Sequence, residues 1–166
     1  MDDKQINDLI NYIKNHELTL ATAESCTAGE IISTLANHGN CGDCIYMGYL
    51  VYSSEAKQKH LGVKEETIKK YTLTSEEVAK EMARGVFQNE EVNLAIATTG
   101  ITGDESMDGI KPGTVCFSWG FKILNHLTLF SETQLFEGTS SERCKKAVFY
   151  ALSRVKSYHQ QAQHDI

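Results

Sequence analysis

Apolar residues fall at Ile6, Leu9, Ile10 and Ile13, and this three-and-four spacing predicts an amphipathic helix over 5–16. A short apolar run then predicts a strand over 18–23, and helical spacing returns at Ile31, Ile32 and Leu35, predicting a helix over 26–37. Residues 38–44 are rich in types that tolerate left-handed backbone and read as a loop. A β-rich segment over 45–53 carries Tyr46, Tyr49, Val51 and Tyr52, and a short helix over 54–61 stops at Gly62. A helical turn or two is predicted over 65–70. Thr74-Ser75-Glu76-Glu77 has the Thr-x-x-Glu spacing of a capping box and opens a helix to about residue 89, with Val78, Met82 and Val86 inward.

A compact apolar strand over 94–98 is of the kind buried on both faces. After a Gly- and Asp-rich loop over 99–112, strands over 114–119 and 124–134 form a predicted hairpin turning around Gly120 and Asn125. Thr139-Ser140-Ser141-Glu142 is a second capping box, opening a helix to about residue 158. From about residue 159 a polar tail is expected to fray. Helices and strands alternate, then a hairpin and a last helix follow. That order predicts an α/β fold, a three-layer α/β/α sandwich around a mixed sheet. Ligands of such sheets sit at the carboxyl ends of strands. Two small-residue loops leave strand ends here, 24–29 and 99–103, and are expected to converge on one site.

Composition narrows the function classes. A chain of 166 residues is long enough for one domain with a real core. The net charge of −6, with lysines dispersed, argues against a nucleic-acid partner, which needs many Lys and Arg contacts to phosphates. No apolar run approaches a membrane span. Met1-Asp2-Asp3-Lys4 is not followed by the apolar stretch of a secretory signal, and the five cysteines are odd in number. Reduced thiols in the cytoplasm are the expectation.

The stretch from Thr22 to Glu30 places Ser25 between a predicted strand and helix, where free N–H groups and the helix dipole favour negative charge. Such a position suits an oxyanion, a phosphate or an activated hydroxyl, and it equally suits a plain helix cap. Thr99-Gly100-Ile101-Thr102-Gly103 is similar to an anion-binding turn, or is a connection that needs positive φ. It lacks the spacing of a phosphate-binding P-loop. Lys57 can take a proton from a serine only when neutral, and a shift from about 10.4 to about 7.5 requires roughly 4 kcal/mol, which burial can supply. A solvated surface lysine is the alternative, as a half-wet strand residue is for Tyr52. Cys26 has no Cys/His signature beside it and, with Cys116 and Cys144, reads as a small buried apolar residue. Cys41-Gly42-Asp43-Cys44 has C-x-x-C spacing but no second ligand pair for zinc, and it precedes a strand rather than opening a helix as redox pairs do. Asp104, Glu105 and Asp108 lack the spacing of a calcium loop and read as a solvated acidic loop.

Read together, these pieces resemble one family. Ala23-Glu24-Ser25-Cys26-Thr27-Ala28-Gly29 is similar to the A-E-S-C-T-G-G signature of the CinA C-terminal domain family, the competence/damage-inducible proteins that include nicotinamide-nucleotide amidohydrolases. Tyr52-Ser53-Ser54-Glu55-Ala56-Lys57 resembles its Y-S-N-x-x-K, Thr99 to Gly103 its T-G-I-A-G, and Gly113-Thr114-Val115 its G-T-V. The resemblance covers almost the whole chain and implies a single α/β/α domain over 1–166, self-associated as a dimer or higher. It implies hydrolysis of the carboxamide of nicotinamide mononucleotide to nicotinate mononucleotide and ammonia, in pyridine-nucleotide salvage, without cofactor or metal. It implies a nucleotide substrate as partner and neither nucleic acid nor membrane. Ser25 is the implied nucleophile, Lys57 its base and Tyr52 a helper. Glu24, Cys26, Thr27, Ala28, Gly29, Thr99, Gly100 and Gly103 are implied to hold substrate or oxyanion. Three departures stand out. Ala28 replaces a glycine, Asp104 replaces a proline, and Gly138-Thr139-Ser140 replaces a G-D-R whose arginine is a phosphate ligand, with Arg143 and Lys145 the nearest cations. A nucleotide-binding or interaction protein without amidase activity is the second expectation.

Overall fold

A computed structural model describes residues 2–39 and 41–165. The chain runs α1 (Asp3–Asn15), β1 (Leu20–Glu24), α2 (Glu30–Ala36), β2 (Ile45–Leu50), α3 (Ser54–Leu61), α4 (Glu65–Tyr71), α5 (Glu76–Val86), β3 (Leu94–Gly100), β4 (Thr114–Ile123), β5 (His126–Leu135), α6 (Ser140–Ser153) and α7 (Val155–His164). The five strands form one sheet in the order β2-β1-β3-β4-β5. β1 pairs in parallel with both β2 and β3, while β3–β4 and β4–β5 are antiparallel. The expected mixed sheet between helical layers is therefore present.

Strand alternation splits the core by side-chain size. Leu20, Leu94, Ile96, Phe117, Trp119 and Phe121 face α1, α2, α6 and α7, whereas Ala21, Ala23, Ala95 and Ala97 face α3, α4 and α5. The alanine face lets α5 lie close to the sheet. It also lies close to α3, because a Cβ on Gly85 would stand 2.1 Å from the Leu61 carbonyl oxygen. On the large-residue face the Trp119 indole N–H donates to the Ala151 carbonyl at 2.8 Å, fixing α6 over the sheet. Because β1, β2 and β3 are parallel, their carboxyl ends meet at one edge. The 25–29 turn, the 51–53 link and the loop after β3 all leave from there.

Several expectations are corrected. α2 begins at Glu30, four residues later than expected, because 25–29 forms a turn with Ala28 at φ 50° and Gly29 at φ 88°. The cap of α5 is Ser75, whose side chain accepts from the Val78 N–H, so no box is built on Thr74. β3 continues through Thr99 and Gly100. The hairpin turns at Leu124 and Asn125, both at positive φ as a two-residue connection needs, and Gly120 lies inside β4. A Cβ at Gly120 would stand 2.6 Å from the Phe87 ring, so that glycine serves packing and not a turn. The last helix breaks at Arg154, and the expected frayed tail is helical to His164, held by buried His159 and Ala162. Among the described residues no helix is long and apolar enough to cross a membrane.

Candidate active site

β1 delivers Ser25 into the turn at the sheet edge, where its N–H donates to the Thr98 carbonyl at 3.1 Å and its carbonyl accepts from the Ala28 N–H. The turn is held from inside by Glu24, whose side chain is 1% exposed. Its carboxylate accepts from the Thr22 and Thr27 hydroxyls and from the N–H groups of Gly29, Ile31 and Ile32 at 2.7–3.2 Å. An anion placed against those N–H groups also satisfies the first donors of α2. Thr27 lies 2.8 Å from the Thr98 hydroxyl and ties the turn to β3.

Lys57 approaches from the first turns of α3, which starts on a Ser53 cap after β2. Its Nζ lies 3.0 Å from Ser25 Oγ and donates to the Val51 and Tyr52 carbonyls, each at 2.9 Å. Burial lowers its pKa to about 8, against a smaller opposing pull from the Cys26 thiol. A neutral amine has two N–H donors and one lone pair. The two carbonyls take the donors, and the lone pair is left for the Ser25 hydroxyl proton. That is the arrangement of a serine nucleophile beside its base. The Cys26 thiol is buried and pushed up to about 12, chiefly by burial, which disfavours a thiolate at this turn. No hydrogen bond from the Cys26 or Thr27 N–H is seen among the described residues.

Thr99, Gly100 and Gly103 come to the same edge. The Thr99 hydroxyl donates to the Leu73 carbonyl at 2.8 Å, and Gly100 lets β4 approach, since a Cβ there would meet the Thr114 oxygen at 2.4 Å. Thr102 donates to the Cys26 carbonyl at 3.3 Å, joining the two loops. The polar atoms of Glu24, Thr27 and Thr99 are thus committed to holding the site's frame.

Tyr52 is the one expected catalytic group that the fold does not bring to Ser25. Its side chain is 74% exposed, and only its carbonyl reaches Lys57. Residues that the sequence reading missed are Val51, Thr98, Leu73 and Thr102. Val51 and Leu73 act through backbone carbonyls that no side-chain motif encodes, and Thr98 through both its carbonyl and its hydroxyl. Arg143, from the start of α6, reaches over the second loop. One terminal nitrogen donates to the Thr102 and Gly103 carbonyls and to Asp104, while its buried Nε is left without a partner.

A parallel-edge α/β sheet carrying a serine–lysine pair at its carboxyl ends defines the class of protein. Within that class the chain belongs to the family of the CinA C-terminal domain, which its residues 2–159 match. It is 41% identical over 125 residues to a CinA-like protein of Chloroherpeton thalassium, covering 75% of this chain and 30% of that protein. It is 46% identical over 96 residues to a putative competence-damage inducible protein of Clostridium perfringens, covering 58% and 23%. The chain therefore spans less than a third of the length of these curated relatives. Among solved structures, the competence or damage-inducible protein from Enterobacter asburiae superposes with a TM-score of 0.87 at 32% identity, covering 94% of this chain and 96% of that one. The CinA superfamily protein from Escherichia coli superposes with a TM-score of 0.81 at 30% identity, covering 93% and 91%.

Proposed function

We propose that this domain is an amidohydrolase that cleaves the carboxamide of nicotinamide mononucleotide, releasing ammonia and nicotinate mononucleotide in cytoplasmic pyridine-nucleotide salvage. The observation that carries the reading is the 3.0 Å approach of a buried lysine, lowered to about 8, to a serine hydroxyl at a strand end. Neutral Lys57 takes the Ser25 proton as Oγ attacks the carboxamide carbon. The oxyanion is met by backbone N–H groups of the turn that follows Ser25, and Lys57 returns the proton to the departing ammonia. Water then repeats the sequence on the acyl-serine. The test is ammonia release from nicotinamide mononucleotide. Ser25→Ala is expected to lower turnover by at least about 10³-fold with the fold intact. Wild-type-like turnover in that variant would refute the serine mechanism.

A second reading, a nucleotide-binding protein without amidase activity, is favoured by one observation. The nearest arginine to the loops, Arg143, already pairs with Asp104, in a loop that also carries Glu105 and Asp108. Nucleotide binding without ammonia release would select it. We further infer that copies of the chain associate. Tyr46, Leu50 and Tyr52 stand exposed along or just after β2, which is a sheet edge. Sedimentation giving the mass of a single chain at micromolar concentration would refute association.

A further inference from the structure

The Cys41–Cys44 pair lies at the end of the sheet opposite Ser25, between α2 and β2. The two sulfurs are 3.0 Å apart, and the Cys44 thiol also donates to the Cys41 carbonyl at 3.2 Å. A tight turn brings them together, with the Cys44 and Ile45 N–H groups both donating to the Cys41 carbonyl. The Cys44 carbonyl in turn accepts from the Leu20 N–H at 2.8 Å, which fixes the turn to the start of β1. A disulfide bond needs a separation of about 2.05 Å, so a movement of about 1 Å suffices. Cys116 and Cys144 instead have oxygen atoms as their hydrogen-bond partners. Among the described residues no group of three or more His, Cys, Asp or Glu could hold a metal ion.

The two thiols are not equivalent. Cys44 lines a surface depression of about 440 Å³ with Lys14, Glu17, Leu18, Thr19 and Asp43, whereas Cys41 does not line it. Burial and the neighbouring sulfur push the Cys41 thiol up to about 12, with Lys14 pulling in the other direction. Both residues are 2% exposed, and Cys44 is the one that borders the depression from which a reagent would approach.

We propose that Cys41 and Cys44 form a reversible dithiol–disulfide couple, oxidised by exchange with a small-molecule disulfide. The Cys44 thiolate attacks one sulfur of the reagent, forming a mixed disulfide and expelling one reagent thiolate. Cys41 then loses its proton and attacks Cys44 Sγ, closing the intramolecular bond and expelling the second thiolate. Two protein thiols are oxidised, and one reagent disulfide is reduced to two thiols. The couple is independent of the amidase reading, since its readout is covalent state and not turnover.

The test incubates the folded protein with oxidised glutathione, followed by alkylation in denaturant and peptide mapping. The expected product has lost about 2 Da, blocks two of the five thiols, maps the bond to Cys41 and Cys44, and reverts with dithiothreitol. Cys41→Ser is expected to stop at a mixed disulfide on Cys44, and Cys44→Ser to acquire an adduct more slowly. Five alkylated thiols in oxidised wild type, or a bond mapped elsewhere, would overturn the couple. Faster adduct formation on Cys41 in Cys44→Ser would overturn the order of attack. The wild-type map decides the matter even if a variant fails to fold.

Discussion

Lys57→Met removes the buried amine while keeping an unbranched chain of similar length. In the native protein the Lys57 pKa is about 8, and its ordinary value is 10.5. Between those values the native state has released a proton that the unfolded chain still binds. The stability of the wild type therefore rises with pH in that window and is flat in this respect below it. At about 1.4 kcal/mol per factor of ten, the wild type should gain roughly 2 to 3 kcal/mol over Lys57→Met between about pH 7 and pH 10. The carbonyls of Val51 and Tyr52 lose their donor in the variant, but that cost does not depend on pH. Titrations of tyrosines and of the other thiols are shared by both proteins and cancel in the difference. Urea midpoints of the two proteins across this range measure it. A difference that stays constant with pH, or that falls, would show that Lys57 keeps its ordinary affinity for protons in the fold. The same ionisation governs the chemistry, so kcat/KM of the wild type should rise about tenfold between about pH 7 and pH 9.

Ala28→Gly should raise the thermal midpoint by about 2 °C, because an exposed alanine at φ 50° costs about 1–2 kcal/mol and glycine gives part of that back through a looser unfolded chain. Calorimetry checks it, and a lowered midpoint would mean that the methyl group is needed. Gly85→Ala forces α3 away from α5 and should cost at least about 2 kcal/mol, together with most turnover, since α3 carries Lys57. Unchanged stability by urea titration would refute the close approach of the two helices.

The sheet and its helices were legible because their apolar spacing is regular, and the pairing of Ser25 with Lys57 was legible only through motifs taken together. Singly, Ser25 looked like a cap and Lys57 like a surface residue. Burial of Lys57 depends on α3 folding back beneath α5, a tertiary contact that no local pattern contains. Its two carbonyl acceptors are backbone atoms and leave no trace in residue type. Gly120 misled because glycine serves close packing as well as turns, whereas the actual turn holds Leu124, a residue with no preference for positive φ. The end of the chain is different. Val155, Tyr158, His159 and Ala162 have helical spacing, and the polar residues between them masked a stripe that was present to be read.

Two of the three departures from the family's motifs, at Asp104 and Ser140, lie by the second loop and the start of α6. Lys57 makes its hydrogen bonds to Ser25 and to the Val51 and Tyr52 carbonyls without α6, whose Cys144 lies against the Cys26 and Thr27 carbonyls, so on the proposed reading proton transfer and recognition draw largely on different residues. Ala28 can occupy a left-handed position without touching that set, since its side chain is exposed and Glu24 holds the turn through Gly29, Ile31 and Ile32. Arg143 and Asp104 lie across the second loop, and Ser140 stands where the family's phosphate-binding arginine is expected. Their guanidinium–carboxylate pair anchors the loop at Thr102 and Gly103, so that Arg143, the cation on this loop, is already engaged by Asp104. Changes of this kind weaken the capture of an anionic substrate more than the chemical step. An amidase with this arrangement should therefore show its departure in KM, and Asp104→Asn should lower KM for a phosphorylated substrate while leaving kcat nearly unchanged.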